Sequence, residues 1–309
     1  RRSCLVDTRF PIVAPEPCYG MAMHVMSRGR CLALALAVAA SAGACARPPS
    51  NEHERNPAMS GATQTGRTLN GHTYTDAPVD VKLGPTTFRF PANYLDSQIA
   101  PWPGEGVTLV IEWPDMKPTA PGARADPRTN DFRKEIKVLI DYVDRVPIQT
   151  VLARYSGDEA RTDGESVEHG DPAARLDLRI AQPETLGLIP YAIDEEKMAV
   201  YSERYQARYG RPAPRNPAYE GDWYVVRDAQ ARLTTFIKCD SSKHSADGLR
   251  VQGSEITDMP GSTVAGCTHY FVDDESKLSI MLSYNRVFLQ DWKRMESAVR
   301  RVLAESKVK

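Results

Sequence analysis

The feature that most constrains the fold is a repeated alternation of apolar and polar residues with a period of two. Val107, Leu109 and Ile111 share one side of an extended segment, with Thr108 and Glu112 on the other. The same pattern recurs at 87–90, 135–142, 175–180, 222–228, 232–239, 268–273 and 277–285. Strands with one apolar and one polar face are typical of antiparallel sheets, because parallel strands are usually covered on both faces. The sequence therefore predicts a mainly antiparallel sheet.

Helical periodicity is strong in two segments. Residues 194–209 begin with an acidic first turn and end at Gly210, and residues 289–306 carry an apolar stripe that includes Trp292, Met295 and Val299. We expect the second helix to pack on the sheet, which gives an α+β class, although its basic residues leave a membrane-surface helix as an alternative. A proline-rich segment at 210–217 divides the chain into a β-rich half, 71–210, and a half with sheet and C-terminal helix, 211–309.

The N-terminal part has the pattern of an export signal. Arg28 and Arg30 precede an apolar run over 31–40 and small residues over 41–44, which predicts a secretory signal peptide at 26–44. The segment Ala42-Gly43-Ala44-Cys45 resembles the lipobox of bacterial lipoproteins, which implies that Cys45 is lipidated. We interpret 1–25 as an upstream extension of the gene start or a disordered tail. Residues 45–70, rich in Pro, Ser, Asn, Gly and Thr, are expected to form a flexible lipid tether.

Charge and cysteine content limit the classes of function. The 309 residues have a net charge of −1, and residues 1–44 hold five basic and two acidic residues, so the mature chain has a net charge near −4. This gives no basic footprint for nucleic acid. With Cys45 lipidated, Cys239 and Cys267 remain, and an oxidising compartment predicts a disulfide between them. The alternative is a zinc site that adds His244 and His269.

No segment indicates a cofactor or a known catalytic motif. The chain lacks a Gly-x-Ser-x-Gly elbow, a His-Glu-x-x-His pair and a phosphate-binding loop. Glu112 with Asp115, or His269, remain candidates for acid–base chemistry in an envelope hydrolase. The acidic run 273–275 lies between two predicted strands, so a hairpin turn is a simpler interpretation than a calcium site.

Four segments together resemble a group of proteobacterial envelope lipoproteins, some of which accompany type VI secretion effectors as immunity proteins. These segments are Phe88–Leu95, Val107–Met116, Gly266–Phe271 and Leu282–Trp292. The resemblance implies a lipid-anchored periplasmic binding protein with a protein partner, no cofactor and no catalytic residues. Ala46 after the acylated cysteine implies anchoring in the outer membrane. The alternatives are an envelope hydrolase and a structural or assembly lipoprotein.

Overall fold

A computed structural model describes residues 66–97, 101–158 and 166–309, so Cys45 and the predicted signal peptide lie outside the described residues. The strands in these ranges are β1 Gly66–Leu69, β2 His72–Thr75, β3 Pro78–Leu83, β4 Thr86–Pro91, β5 Val107–Glu112, β6 Glu135–Tyr142, β7 Ile180–Ala181, β8 Ile189–Ala192, β9 Asp222–Arg227, β10 Leu233–Cys239, β11 Leu249–Gln252, β12 Glu255–Asp258, β13 Gly266–Asp273 and β14 Leu278–Asn285. The α-helices are α1 Val151–Ser156, α2 Glu195–Tyr209 and α3 Trp292–Ser306.

The central element is an eight-stranded sheet in the order β5-β6-β14-β13-β10-β9-β8-β7. Every neighbouring pair in this sheet is antiparallel. Strands β1–β2, β3–β4 and β11–β12 form three separate two-stranded hairpins. The α+β class with a mainly antiparallel sheet, predicted from the period-two alternation, is confirmed.

The main hydrophobic core lies between the sheet and α3. Met295 and Val299 of the helix are buried in one cluster with Phe271 and Leu282 of the sheet and Phe88 of β4. Each such fully buried side chain contributes about 1.5–3 kcal/mol relative to exposure. The predicted packing of the C-terminal helix on the sheet is therefore confirmed. Among the described residues, no helix combines the length and the apolar character needed to cross a membrane.

The opposite face of the sheet carries a smaller core. Ile237 of β10 belongs to the cluster under α3, whereas its neighbour Phe236 packs with Trp223 on the other face. The short helix α1 also lies on this face, where the Tyr155 ring stacks on Tyr270 with centroids 4.6 Å apart. The remainder of the face is open around a cavity that is described below.

The predicted division at 210–217 does not separate two folded units. Strands β5 to β8 precede this segment and β9, β10, β13 and β14 follow it, yet all eight belong to one sheet. Pairing of β6 with β14 and of β8 with β9 joins the two halves. Alternation identifies a strand but not its neighbour, which is why the sequence did not indicate this mixing.

Two local predictions need correction, and one further element has no signal in the sequence. The segment 175–180 is not a strand, because Leu176–Leu178 forms a 3₁₀ turn and only Ile180–Ala181 pairs as β7. Residues 66–69 of the predicted tether form β1, which pairs with β2. The stretch 240–266, which has no strand pattern in the sequence, contains the hairpin β11–β12. Each of these elements is short, so its periodicity carries little information.

Candidate binding surface

Two concave cavities meet at Tyr219, which lies on the loop between α2 and β9. The first cavity, about 380 Å³, is lined by Met198 and Tyr201 of α2 among others. The second, about 540 Å³, lies on the open sheet face and is lined by Trp223 and Lys238 among others. Tyr219 lines both cavities and is 87% exposed. We refer to these as the α2 cavity and the sheet cavity, and to Tyr219 with both cavities as the Tyr219 surface.

Tyr219 is exposed but held on an ordered support. It ends the 3₁₀ turn Pro217–Tyr219, whose first residue has the fixed φ of proline. The Asn216 side chain caps the turn by accepting a hydrogen bond from the Ala218 backbone N–H at 3.1 Å. Arg215 forms ion pairs with both Glu195 of α2 and Glu220 of the loop. This support fixes the loop backbone, so less backbone entropy is lost when Tyr219 binds a partner.

Arg179 fixes the base of this loop from inside the protein. It is 4% exposed, and its guanidinium carbon lies 3.8 Å from the Trp223 ring centroid. The guanidinium donates hydrogen bonds to the backbone carbonyl oxygens of Pro172, Ala173, Tyr191, Glu220 and Gly221. Burial lowers the pKa of Arg179 to about 10, an effect that the nearby Glu220 carboxylate opposes, so the side chain is charged at neutral pH. One buried cation thus orders several loop carbonyls around Tyr219 and Trp223.

Lys238 places a second cation on the floor of the sheet cavity. Its ammonium nitrogen lies 4.3 Å from the Trp223 ring centroid and donates a hydrogen bond to the Tyr155 carbonyl oxygen at 3.0 Å. No carboxylate of the described residues forms an ion pair with it. Asp240, which also lines the cavity, accepts a hydrogen bond from the Gly266 backbone instead. Burial, with a further effect of Arg179, lowers the pKa of Lys238 to about 8.

The disulfide predicted from the sequence joins Cys239 and Cys267. The two residues face each other directly across β10 and β13, at the end of the sheet next to Lys238. Because their sulfurs are bonded to each other, the alternative zinc site with His244 and His269 does not form here. In residues 66–97, 101–158 and 166–309, no group of three or more His, Cys, Asp or Glu side chains is placed to hold a metal ion.

His269, a candidate for hydrolase chemistry, is fully buried under α3. Its Nε2 lies 3.2 Å from the Glu296 carboxylate, which also accepts a hydrogen bond from the Thr235 hydroxyl at 2.9 Å and pairs with Arg300. Burial raises the pKa of Glu296, but the hydrogen bond from His269 and the charge of Arg300 outweigh it and the net pKa is lowered. This network ties the helix to the sheet, with the His269 ring fully buried and Arg300 at the exposed end.

The acidic candidates do not assemble with His269. Glu112 ends β5, three strands away from the β13 strand that holds His269, and burial raises the pKa of its carboxyl. The acidic run 273–275 forms the turn of the hairpin between β13 and β14, as predicted, and Glu275 pairs with Lys307. Asp115 lies in the turn after β5, close enough that its charge also raises the pKa of Glu112, so the predicted pair is adjacent but is separate from His269.

Sequence reasoning missed Tyr219, Lys238 and Arg179. The run of prolines around 212–217 was a signal for an ordered loop next to Tyr219, but not for its exposure. Lys238 lies within the alternating segment 232–239, which does not indicate that its side chain contacts the Trp223 ring. Arg179 was assigned to the polar face of a strand, although its side chain is buried.

The chain belongs to the same family as an immunity protein of a bacterial secretion system. That relative is Smlt3025, an immunity protein of the Stenotrophomonas maltophilia type IV secretion system, of known structure. It is 68% identical to this chain, with a TM-score of 0.76, and the match covers 80% of this chain and 100% of the relative. The resemblance to immunity proteins is confirmed at this level, although the relative is from a type IV rather than a type VI system. No protein-family model and no curated protein matches the chain.

Proposed function

We propose that this protein is a lipid-anchored immunity protein of the bacterial cell envelope, which binds a secreted effector and neutralises it. The observation that carries the proposal is the 68% identity to a secretion-system immunity protein over that protein's whole length. The Tyr219 surface supports a binding function, because it combines an exposed aromatic residue with two adjacent concavities.

The proposal places the folded part on the periplasmic face of the envelope. The predicted signal peptide, the lipobox-like segment 42–45 and the disulfide all support an exported protein. Ala46 after the acylated cysteine supports the outer membrane as the site of anchoring. Effectors delivered into the periplasm would then meet the immunity protein before they reach their targets.

Co-expression tests the neutralising function. Each toxin-like reading frame adjacent to the gene is directed to the periplasm of a test strain, with and without the full chain. We expect the full chain to restore growth against one of them and to co-purify with that effector. Equal killing with and without the chain, for every adjacent toxin, would contradict the proposal.

A separate experiment tests the anchor. Metabolic labelling with a fatty acid, followed by membrane fractionation, should show label on the wild-type protein and its presence in the outer membrane. Cys45→Ser should remove the label and release the folded protein into the periplasmic fraction. An unlabelled wild-type protein would contradict the lipid anchor. It would not affect the binding function, which the co-expression experiment tests separately.

A further inference from the structure

We propose that the Tyr219 surface is the effector-binding site, and that it captures an acidic side chain of the effector on Lys238 while Tyr219 packs against the adjoining surface of the effector. This inference rests on the proposed function and adds the location and the chemistry of the contact. The occupant is a folded protein that presents an Asp or Glu next to an apolar patch.

The charge argument begins with Lys238. Arg215, which lines the α2 cavity, already pairs with Glu195 and Glu220. Lys238 instead contacts a carbonyl oxygen and the Trp223 ring, and among the residues that the structure describes no carboxylate pairs with it. A partner carboxylate that enters the sheet cavity would complete this half-buried cation, and charge-assisted hydrogen bonds are the strong ones in such sites.

The low pKa of Lys238, about 8, agrees with this geometry. Burial and the nearby Arg179 disfavour its charged form in the free protein, and an approaching carboxylate would favour it. A lysine, an arginine or an apolar group of a partner would not favour the charged form of Lys238. With the position of the ammonium group in the sheet cavity, this favours a carboxylate as the partner group.

Tyr219 supplies the apolar part of the contact. Binding energy in protein interfaces concentrates in a few residues, and tyrosine is enriched among them. Other exposed aromatic residues, such as Trp102, which is 78% exposed, do not border the two cavities. The pairing of an exposed aromatic with an adjacent uncompensated cation distinguishes the Tyr219 surface from these positions.

The test measures the affinity of the effector against which the wild-type chain protects cells, by calorimetry with the full chain. We expect Tyr219→Ala and Lys238→Glu each to weaken binding by about 30-fold or more. The matched controls Trp102→Ala and Lys82→Glu change an exposed aromatic and an exposed lysine elsewhere, and they should bind as the wild type does. Tyr219 makes no core contact, so its variant keeps the test valid if Lys238→Glu unfolds.

Cross-linking identifies the partner group. A water-soluble carbodiimide activates a carboxyl group, and a lysine amine then attacks it and forms an amide with release of the urea. We expect mass spectrometry to find Lys238 joined to an Asp or Glu of the effector. Cross-links that involve only other lysines would overturn the proposed contact.

The outcomes separate the two proposals. If the wild type binds and protects while all four variants bind equally well, the Tyr219 surface is wrong and the immunity function stands. If the wild type neither binds nor protects, the immunity function fails and the inference fails with it. A wild-type dimer that Tyr219→Ala converts to a monomer, with effector binding retained, would show that a second copy occupies the surface and would also overturn the inference.

Discussion

The disulfide between Cys239 and Cys267 should be a major contribution to stability, and its removal gives a quantitative test of the fold. The bond closes a segment of sequence separation 28, which contains the hairpin β11–β12. In the chain-entropy treatment, a closed loop of this length restricts the unfolded chain by about 3–4 kcal/mol. Cys239→Ala with Cys267→Ala should therefore lower the free energy of unfolding by about that amount. Because whole-domain stabilities are about 5–15 kcal/mol, the protein should remain folded but marginal.

Urea unfolding followed by tryptophan fluorescence measures the effect. The double variant should reach its midpoint at a lower urea concentration than the oxidised wild type. The wild type under reducing conditions should unfold close to the double variant, because the other cysteines are common to both proteins. A loss smaller than about 1 kcal/mol would refute the reasoning, since it would mean that the unfolded chain is not appreciably restricted by the bond.

Three further substitutions probe the parts of the structure that position the surface and the helix. Glu296→Gln should lower the free energy of unfolding by about 1–3 kcal/mol at neutral pH. Since the folded pKa of Glu296 lies below its ordinary 4.5, this contribution to stability is present above pH 4.5 and declines as the pH falls. The difference in urea unfolding between variant and wild type should therefore narrow at pH 3, and a constant difference would contradict the pairing. Arg179→Met leaves several backbone carbonyl oxygens without a hydrogen-bond donor and should lower the free energy of unfolding by about 3 kcal/mol or more. Amide hydrogen exchange at 219–221 should become faster, and unchanged exchange there would contradict the ordering role of Arg179. Asp194→Ala removes the N-cap of α2, where the carboxylate accepts from the Lys197 backbone N–H, and should lower the melting temperature by the equivalent of about 1 kcal/mol, whereas an unchanged melting temperature would rule out the cap.

The sequence predicted the elements whose pattern is long and regular. Strands β5, β6, β13 and β14 alternate over six or more residues, and the helix ending at Ser306 has a continuous apolar stripe. Such patterns report directly which side of an element is buried. The order of strands in the sheet could not be predicted from the sequence, because pairs such as β6 and β14 join residues that are far apart in the chain.

The candidate surface was beyond sequence reasoning for a different reason. Arg179 reads as a polar residue in an alternating segment, and only the fold shows that it is buried among carbonyl oxygens. Lys238 is half-buried beside the Trp223 and Phe236 rings, and its lack of an acidic partner among the described residues follows from the arrangement of neighbouring strands and loops. The number of cysteines left beside Cys45, together with the expected oxidising compartment, predicted the disulfide, whereas the binding surface required the tertiary structure.

The central claim is that this protein neutralises an effector by binding it through the Tyr219 surface. The most direct measurement is the survival of cells that express the periplasm-directed effector together with the wild type, Tyr219→Ala or the control Trp102→Ala, at equal levels of the three proteins. We predict survival with the wild type and the control and killing with Tyr219→Ala. Killing with all three would contradict the immunity function, and survival with all three would contradict the Tyr219 surface.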